Sequence, residues 1–221
     1  MIEIKDISYS YGRRTVISGL SLTVRRGECA VLAGPNGSGK TTALSVIAGI
    51  LNPSSGTVSV GGRIGYVPQG SALLEDATVS ENLRFFADLA HARVPDKLPF
   101  SVGMYLDRRV SKLSGGMKKQ VSIACALVGD PEVILLDEPC SSLDVGFRRD
   151  MIGLIDEWKR EGKAIVYVGH DPAEFISFFD TVTFLDSPPV TYGREKLGSL
   201  LPVPDDFRNF YTDNISKIER K

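Results

Sequence analysis

Histidine, cysteine and long hydrophobic runs are all scarce in this sequence. Two histidines and three cysteines in 221 residues form no pattern with metal-ligand spacing. Cys29, Cys125 and Cys140 lie far apart in apolar or turn contexts, which reads as reduced, structural thiols. No stretch approaches the ~20 apolar residues that cross a bilayer. Met1 to Asp6 meets charge at once and does not read as a secretory signal. The expectation is therefore a cytosolic chain, soluble by itself, whose membrane role would require a partner. Charge of one sign is also lacking, because 26 Lys and Arg face 27 Asp and Glu with no long basic run. That balance removes the usual footprint of a nucleic-acid binder, and no nucleic acid is expected among the partners. The length suits one sizeable domain, with or without an insertion, and not two enzymatic domains.

What is present is a change of pattern along the chain. Ile2, Ile4 and the segment Val16 to Val24 alternate apolar with polar or small residues, as half-buried strands of a small antiparallel sheet do, with turns at Gly12 and Gly27. Cys29 to Ala33 is instead continuously apolar, the signature of a strand buried on both faces. Val133 to Leu136 and Ala164 to Val168 repeat it, an amphipathic stretch Met151 to Lys159 separates those two, and Thr181 to Leu185 is a fourth candidate. Strands alternating with helices imply an α/β core. Between the first two buried strands, residues 70–129 read as mostly helical. Thr78-Val79-Ser80-Glu81 has the form of a capping box, followed by Leu83, Phe86 and Ala90 at helical spacing. A second helix is expected from Ser114, with Met117, Val121, Ala124, Cys125 and Val128 on its core face and Pro131 beyond its end. The segment from Ser187 onward carries prolines and mixed charge without a period, and no function is assigned to it.

The strongest chemical signal is Gly34-Pro35-Asn36-Gly37-Ser38-Gly39-Lys40-Thr41, a G-x-x-x-x-G-K-T phosphate loop between a buried strand and the helix-like run Thr42 to Leu51. Its glycines let the backbone curl with N–H groups inward, Lys40 can reach the β and γ phosphates, Thr41 can ligate Mg²⁺, and the helix start favours an anion. Val133 to Leu136 ends in Asp137-Glu138. Ligands of α/β sheets sit beyond the carboxyl ends of strands, so Asp137 can face the loop and hold Mg²⁺ while Glu138 positions or deprotonates the attacking water. Ser114, Gly115 and Gly116 at a helix start form a second anion site.

Leu113-Ser114-Gly115-Gly116-Met117 resembles the signature motif of the ATP-binding subunits of ATP-binding-cassette (ABC) transporters. The order phosphate loop, Gln69, signature, Asp137-Glu138, Ser141-Ser142-Leu143-Asp144 and His170 is similar to that family's motif order over residues 1–186. The family commonly has Gln where Met117 stands here. The resemblance implies a single ABC ATPase domain, a P-loop NTPase (RecA-like) core with an N-terminal antiparallel β subdomain over residues 1–70 and 130–186. Residues 71–129 would be an inserted α-helical subdomain bearing the signature, and residues 187–221 a C-terminal tail. It further implies that Tyr11 stacks on adenine, that Gln69 touches Mg²⁺ and the attacking water, and that His170 contacts the γ-phosphate. Gly34 to Thr42, Ser114 to Gly116 and Asp144 would meet ATP. By residue type, Tyr11 could be an ordinary strand aromatic, Gln69 a loop residue and His170 a structural histidine. Tyr11 stands before Gly12 upstream of the phosphate loop, Gln69 follows the strand end Gly65-Tyr66-Val67, and His170 follows the buried run ending at Val168, which favours the functional roles.

The same resemblance implies that the loop of one subunit and the signature of another enclose ATP in a head-to-tail dimer of identical chains or close paralogues. The insertion would pass movement to membrane-spanning subunits at the inner face of the cell membrane. Met117, the Glu81-Asn82-Leu83 helix start and the short length lean toward an exporter. A soluble ATPase of the same superfamily is the alternative, but repair and chromosome members carry long coiled-coil insertions and translation members two cassettes, neither of which is seen here. Intact Glu138 and His170 argue against a module that binds without hydrolysing.

Overall fold

The computed structural model describes residues 1–141, 143–169, 171–200 and 204–219. Strands β1 (Ile2–Tyr11) and β2 (Arg14–Val24) form an antiparallel hairpin in which Ile2 faces Val24 and Tyr11 faces Arg14. Their alternation buries Ile2, Ile4, Ile7, Ile17, Leu20, Leu22 and Val24 on one face. A third strand, β4 (Ser55–Val60), pairs with the free edge of β1.

The larger sheet has six strands in the order β5-β6-β7-β3-β8-β9. It comprises β3 (Cys29–Ala33), β5 (Ile64–Val67), β6 (Val133–Asp137), β7 (Ala164–Val168), β8 (Thr181–Phe184) and β9 (Val190–Gly193). The first five in that order run parallel and β9 is antiparallel to β8. Every residue of β3, β6 and β7 is buried, which is why those segments read as unbroken apolar runs.

The two faces of this sheet carry separate cores. Cys29, Val31, Ala33, Ile134 and Ile165 pack against helix α4 (Val145–Arg160) through Phe147, Met151, Ile155 and Trp158. Ala30, Leu32, Leu135 and Val166 face helix α1 (Lys40–Ile47) through Ala43, Leu44 and Ile47, together with the apolar face of the β1–β2 hairpin. Each large side chain buried in this way contributes roughly 1.5–3 kcal/mol. Helix α1 stops earlier than the Leu51 expected from its pattern, because Gly49 turns to φ 73°.

Residues between β5 and β6 build their own core from Leu73, Val79, Leu83, Ala87, Val102, Tyr105, Val121, Ala124 and Cys125. Helix α2 (Val79–Leu89) starts with the complete Thr78/Glu81 capping box, and α3 (Gly115–Ala126) is capped by Ser114. This insertion is less helical than its sequence suggests. Pro95 and Pro99 break the stretch after α2, and only two short 3-10 turns, Val102–Tyr105 and Val110–Lys112, lie between the helices. The last residues fold back on the core. After the single turn α5 (Pro172–Phe175), strand β9 and helix α6 (Arg194–Leu200), helix α7 (Pro204–Glu219) buries Tyr211 against Phe175 and Phe184.

Candidate nucleotide site

The loop Gly34–Gly39 leaves the end of β3 and enters α1, so the amide-rich start of a helix lies at the carboxyl edge of a parallel sheet. Gly39 precedes the helix with φ 95°, and a Cβ there would stand 2.9 Å from Val16 Cγ1 and 3.0 Å from the Val16 carbonyl. Both the conformation and the space demand glycine. The buried Lys40 amine donates to the Gly34 and Pro35 carbonyls (2.8 and 2.9 Å), which curls the loop around it. Burial pulls the Lys40 pKa down, and Glu138 and Asp137 oppose that shift. Ser38 Oγ is buried with no hydrogen-bond partner. A cavity of about 490 Å³ opens beside the loop, lined by Val16, Pro35, Asn36, Gly37, Ser38 and Leu185 among others.

Asp137 ends β6 and is 1% exposed. Burial pushes its carboxyl up, and the nearby Thr41 hydroxyl pulls it down. Neither carboxylate oxygen makes a hydrogen bond of good geometry. A buried acid left in this state, facing the hydroxyl of Thr41 and the amine of Lys40, fits a hard divalent cation bound by oxygen ligands. The next residue, Glu138, is held at φ 46°, its N–H donating to the Val168 carbonyl at 3.0 Å. A non-glycine residue in that region costs about 1–3 kcal/mol and is found where the surroundings enforce it. Its carboxylate accepts from Gln69 Nε2 at 3.0 Å, which brings together two residues 69 apart in sequence.

The remaining sequence candidates lie on several elements. Tyr11 is exposed at the hairpin end, edge-on to Tyr9 with ring centroids 5.0 Å apart. Thr42 is half-buried on α1. Ser114, Gly115 and Gly116 lie at the open start of α3 on the insertion, where Ser114 Oγ accepts from the Met117 N–H at 3.3 Å. Met117 packs on the insertion core. Asp144 caps α4, accepting from the Phe147 N–H at 2.9 Å. His170 and Ser142 lie outside the described residues. Sequence reasoning passed over Lys119, whose amine reaches the backbone of the Gln69 loop from α3, and Val16, which closes on Gly39. A lysine on a helix that carries another, Lys118, beside it has no pattern that would single it out.

A family profile described as ABC transporter matches residues 17–141, more than half of the chain. The chain belongs to the ABC transporter family. This ABC chain is 40% identical over 189 residues to a Nod factor export ATP-binding protein I of Burkholderia lata, a match covering 76% of this chain and 62% of the relative. It is 34% identical over 205 residues to an Fe(3+) ions import ATP-binding protein of Rhodococcus jostii, covering 83% and 59%. Thus the chain spans about 62% of the length of the first curated relatives it matches. Among solved structures, an ATP binding subunit of an ABC transporter superposes with a TM-score of 0.82 at 26% identity, covering 96% of this chain and 99% of that one. The α/β P-loop fold, with its antiparallel sheet and helical insertion, is that of an ABC ATPase cassette.

Proposed function

We propose that this ABC chain binds and hydrolyses ATP as the energy-converting subunit of a transporter, closing head to tail on ATP with a second copy or a close paralogue. The observation that carries the reading is the gathering of Lys40, Asp137 and the Gln69–Glu138 pair at one sheet edge. Ser114 to Gly116 sit apart, on a second helix start. Two anion-binding helix ends in one chain are economically explained if each completes the other's site in a neighbouring subunit.

In this reading Gly34 to Thr42 enclose the phosphates, Tyr11 stacks on adenine, and Lys40 moves its amine from the loop carbonyls to the β and γ phosphates. Thr41, Asp137 and Gln69 would hold Mg²⁺, which when bound offsets charge on the phosphate oxygens. Glu138 accepts the proton of the attacking water, and Gln69 keeps that carboxylate aimed. His170 contacts the γ-phosphate. Asp144, whose side chain caps α4, would meet the nucleotide. Residues 1–70 and 130–186 act as the nucleotide-binding core with its β subdomain, 71–129 as the helical subdomain, and 187–221 as the tail. Loss of the γ-phosphate removes the link between subunits, so nucleotide state becomes dimer stability.

No described helix is long and apolar enough to cross a membrane. The insertion nevertheless exposes Leu74, Phe85, Leu89 and the 86% exposed Met104, a set of apolar side chains suited to a membrane-spanning partner at the inner membrane face. Export is favoured over import, supported by the Nod factor export relatives.

Replacing Glu138 by Gln is expected to lower ATP turnover by roughly 10²–10⁴-fold, the usual worth of a positioned base. ATP affinity should stay within threefold (roughly 0.7 kcal/mol), and light scattering should show an ATP-dependent dimer of the variant. Normal turnover, or a variant that stays monomeric in ATP, would overturn the proposal.

A further inference from the structure

Helix α3 bears the signature residues at its start and Lys119 one turn later. The Lys119 amine donates to the carbonyl oxygens of Pro68 and Gln69, both at 3.0 Å. Its charge therefore rests on the backbone of the loop whose side chain reaches Glu138. Immediately before that loop, β5 is pressed on the same helix, since a Cβ on Gly65 would run into the Ala126 carbonyl. The loop is thus fastened to α3 at two points, one by steric fit and one by charge.

A lysine stem that served only as surface cover would leave its ammonium in water. Here the ammonium is drawn inward. Burial pulls its pKa down while Asp137, Cys140 and Glu138 pull it up, so it lies within the field of the acids at the end of β6. A cation on two carbonyls makes charge-assisted hydrogen bonds, stronger than neutral ones and directional at the acceptors.

We infer that Lys119 is a positioning residue, whose ammonium ties the Gln69 loop to the signature helix so that any displacement of α3 is carried to the Gln69–Glu138 pair. It touches no reacting atom. The inference rests on the ATP-hydrolysing reading above, and it gives a physical route by which engagement of Ser114 to Gly116 alters the geometry at Glu138. The route is local and contiguous: signature helix, Lys119, loop carbonyls, Gln69 amide, Glu138 carboxylate.

Two measurements on the full chain test it. Gly70 is exposed and a Cβ there meets nothing within 4 Å, while Cys29, Cys125 and Cys140 are buried, so a nitroxide on Gly70→Cys reports the loop selectively. Without nucleotide, Lys119→Met should raise the label's mobility and Lys119→Arg should preserve it; equal mobility in all three overturns the inference. In unlabelled protein, Lys119→Met is expected to lower kcat about tenfold with ATP affinity within twofold, a misplacement effect. Lys119→Arg should recover most of the rate, and Gln69→Ala combined with Lys119→Met should be no slower than Gln69→Ala alone. Multiplying losses, or a loss confined to KM, would overturn it. If the unaltered chain hydrolyses no ATP, the proposed function fails while the label mobility still decides the role of Lys119.

Discussion

Asp137→Asn is expected to make the nucleotide-free chain more stable while removing its response to Mg²⁺ and ATP. The carboxylate is 1% exposed, its oxygens lack hydrogen bonds of good geometry, and burial is the largest influence on its pKa, which is raised. A raised pKa means that the fold disfavours the charged form, even after the help of Thr41, Lys119 and Lys40. The amide mimics the neutral form. An unsatisfied buried polar group costs about 1–3 kcal/mol, and because the amide still needs partners, the lower end, about 1 kcal/mol, is the expected gain. For a chain of this length that is roughly 2–4 °C in melting temperature. Saturating Mg²⁺ and ATP at a hundred times Kd should raise the unaltered chain's stability by about 2.7 kcal/mol and the variant's by far less. The sign of the pH dependence follows from the same shift. The folded chain binds this proton more tightly than the unfolded one, so lowering the pH through the raised pKa stabilises the unaltered chain and narrows its gap to the variant. Scanning calorimetry at several pH values measures all of this. A variant that melts below the unaltered chain without nucleotide, or that keeps the full nucleotide shift, would refute the reasoning.

Lys40→Ala removes a charged donor that would face the phosphates, and charge-assisted bonds of this kind are worth about 1.5–3 kcal/mol, so calorimetry should show ATP affinity falling roughly 10–150-fold. Gly39→Ala forces a side chain into φ 95° and against Val16, which together should destabilise by about 2–4 kcal/mol in urea unfolding. Adding Val16→Ala should restore only the part due to Cγ1, since the Val16 carbonyl, 3.0 Å from the new Cβ, remains.

The parts of the fold that were legible are those whose burial leaves a local pattern. β3, β6 and β7 are enclosed on both faces, so no polar residue interrupts them until Asp137. The capping box at Thr78 is a four-residue device complete in itself. By contrast β4, Ser-Gly-Thr-Val-Ser-Val, exposes most of its residues and is a strand only because β1 offers a free edge. Helix α7 was overlooked for a different reason: Phe207, Phe210, Tyr211, Ile215 and Ile218 do recur at helical spacing, but Pro202 and Pro204 just before them and the charges between them gave the segment the look of a loop.

The same distinction separates the readable from the unreadable in the site. Gly34 to Thr41 is one turn of chain, so its chemistry is written in consecutive letters, whereas Gln69 and Glu138 meet across 69 positions and Lys119 reaches back 50 to the Gln69 carbonyl. The structure adds that several groups there are held uncomfortably. Glu138 holds a left-handed backbone, Asp137 buries two oxygens without a hydrogen bond of good geometry, Ser38 buries an unpartnered hydroxyl, and burial works against the charge on Lys40. A structural salt bridge would relieve these groups by pairing Lys40 with Asp137. Instead the Lys40 amine is committed to two loop carbonyls, and neither Asp137 oxygen gains a bond of good geometry. Groups so arranged gain most when a polyanion and a cation arrive together. Phosphate oxygens can take the amine from the carbonyls, and a divalent ion can satisfy the carboxylate, so the stability these groups withhold from the fold becomes affinity for the ligand.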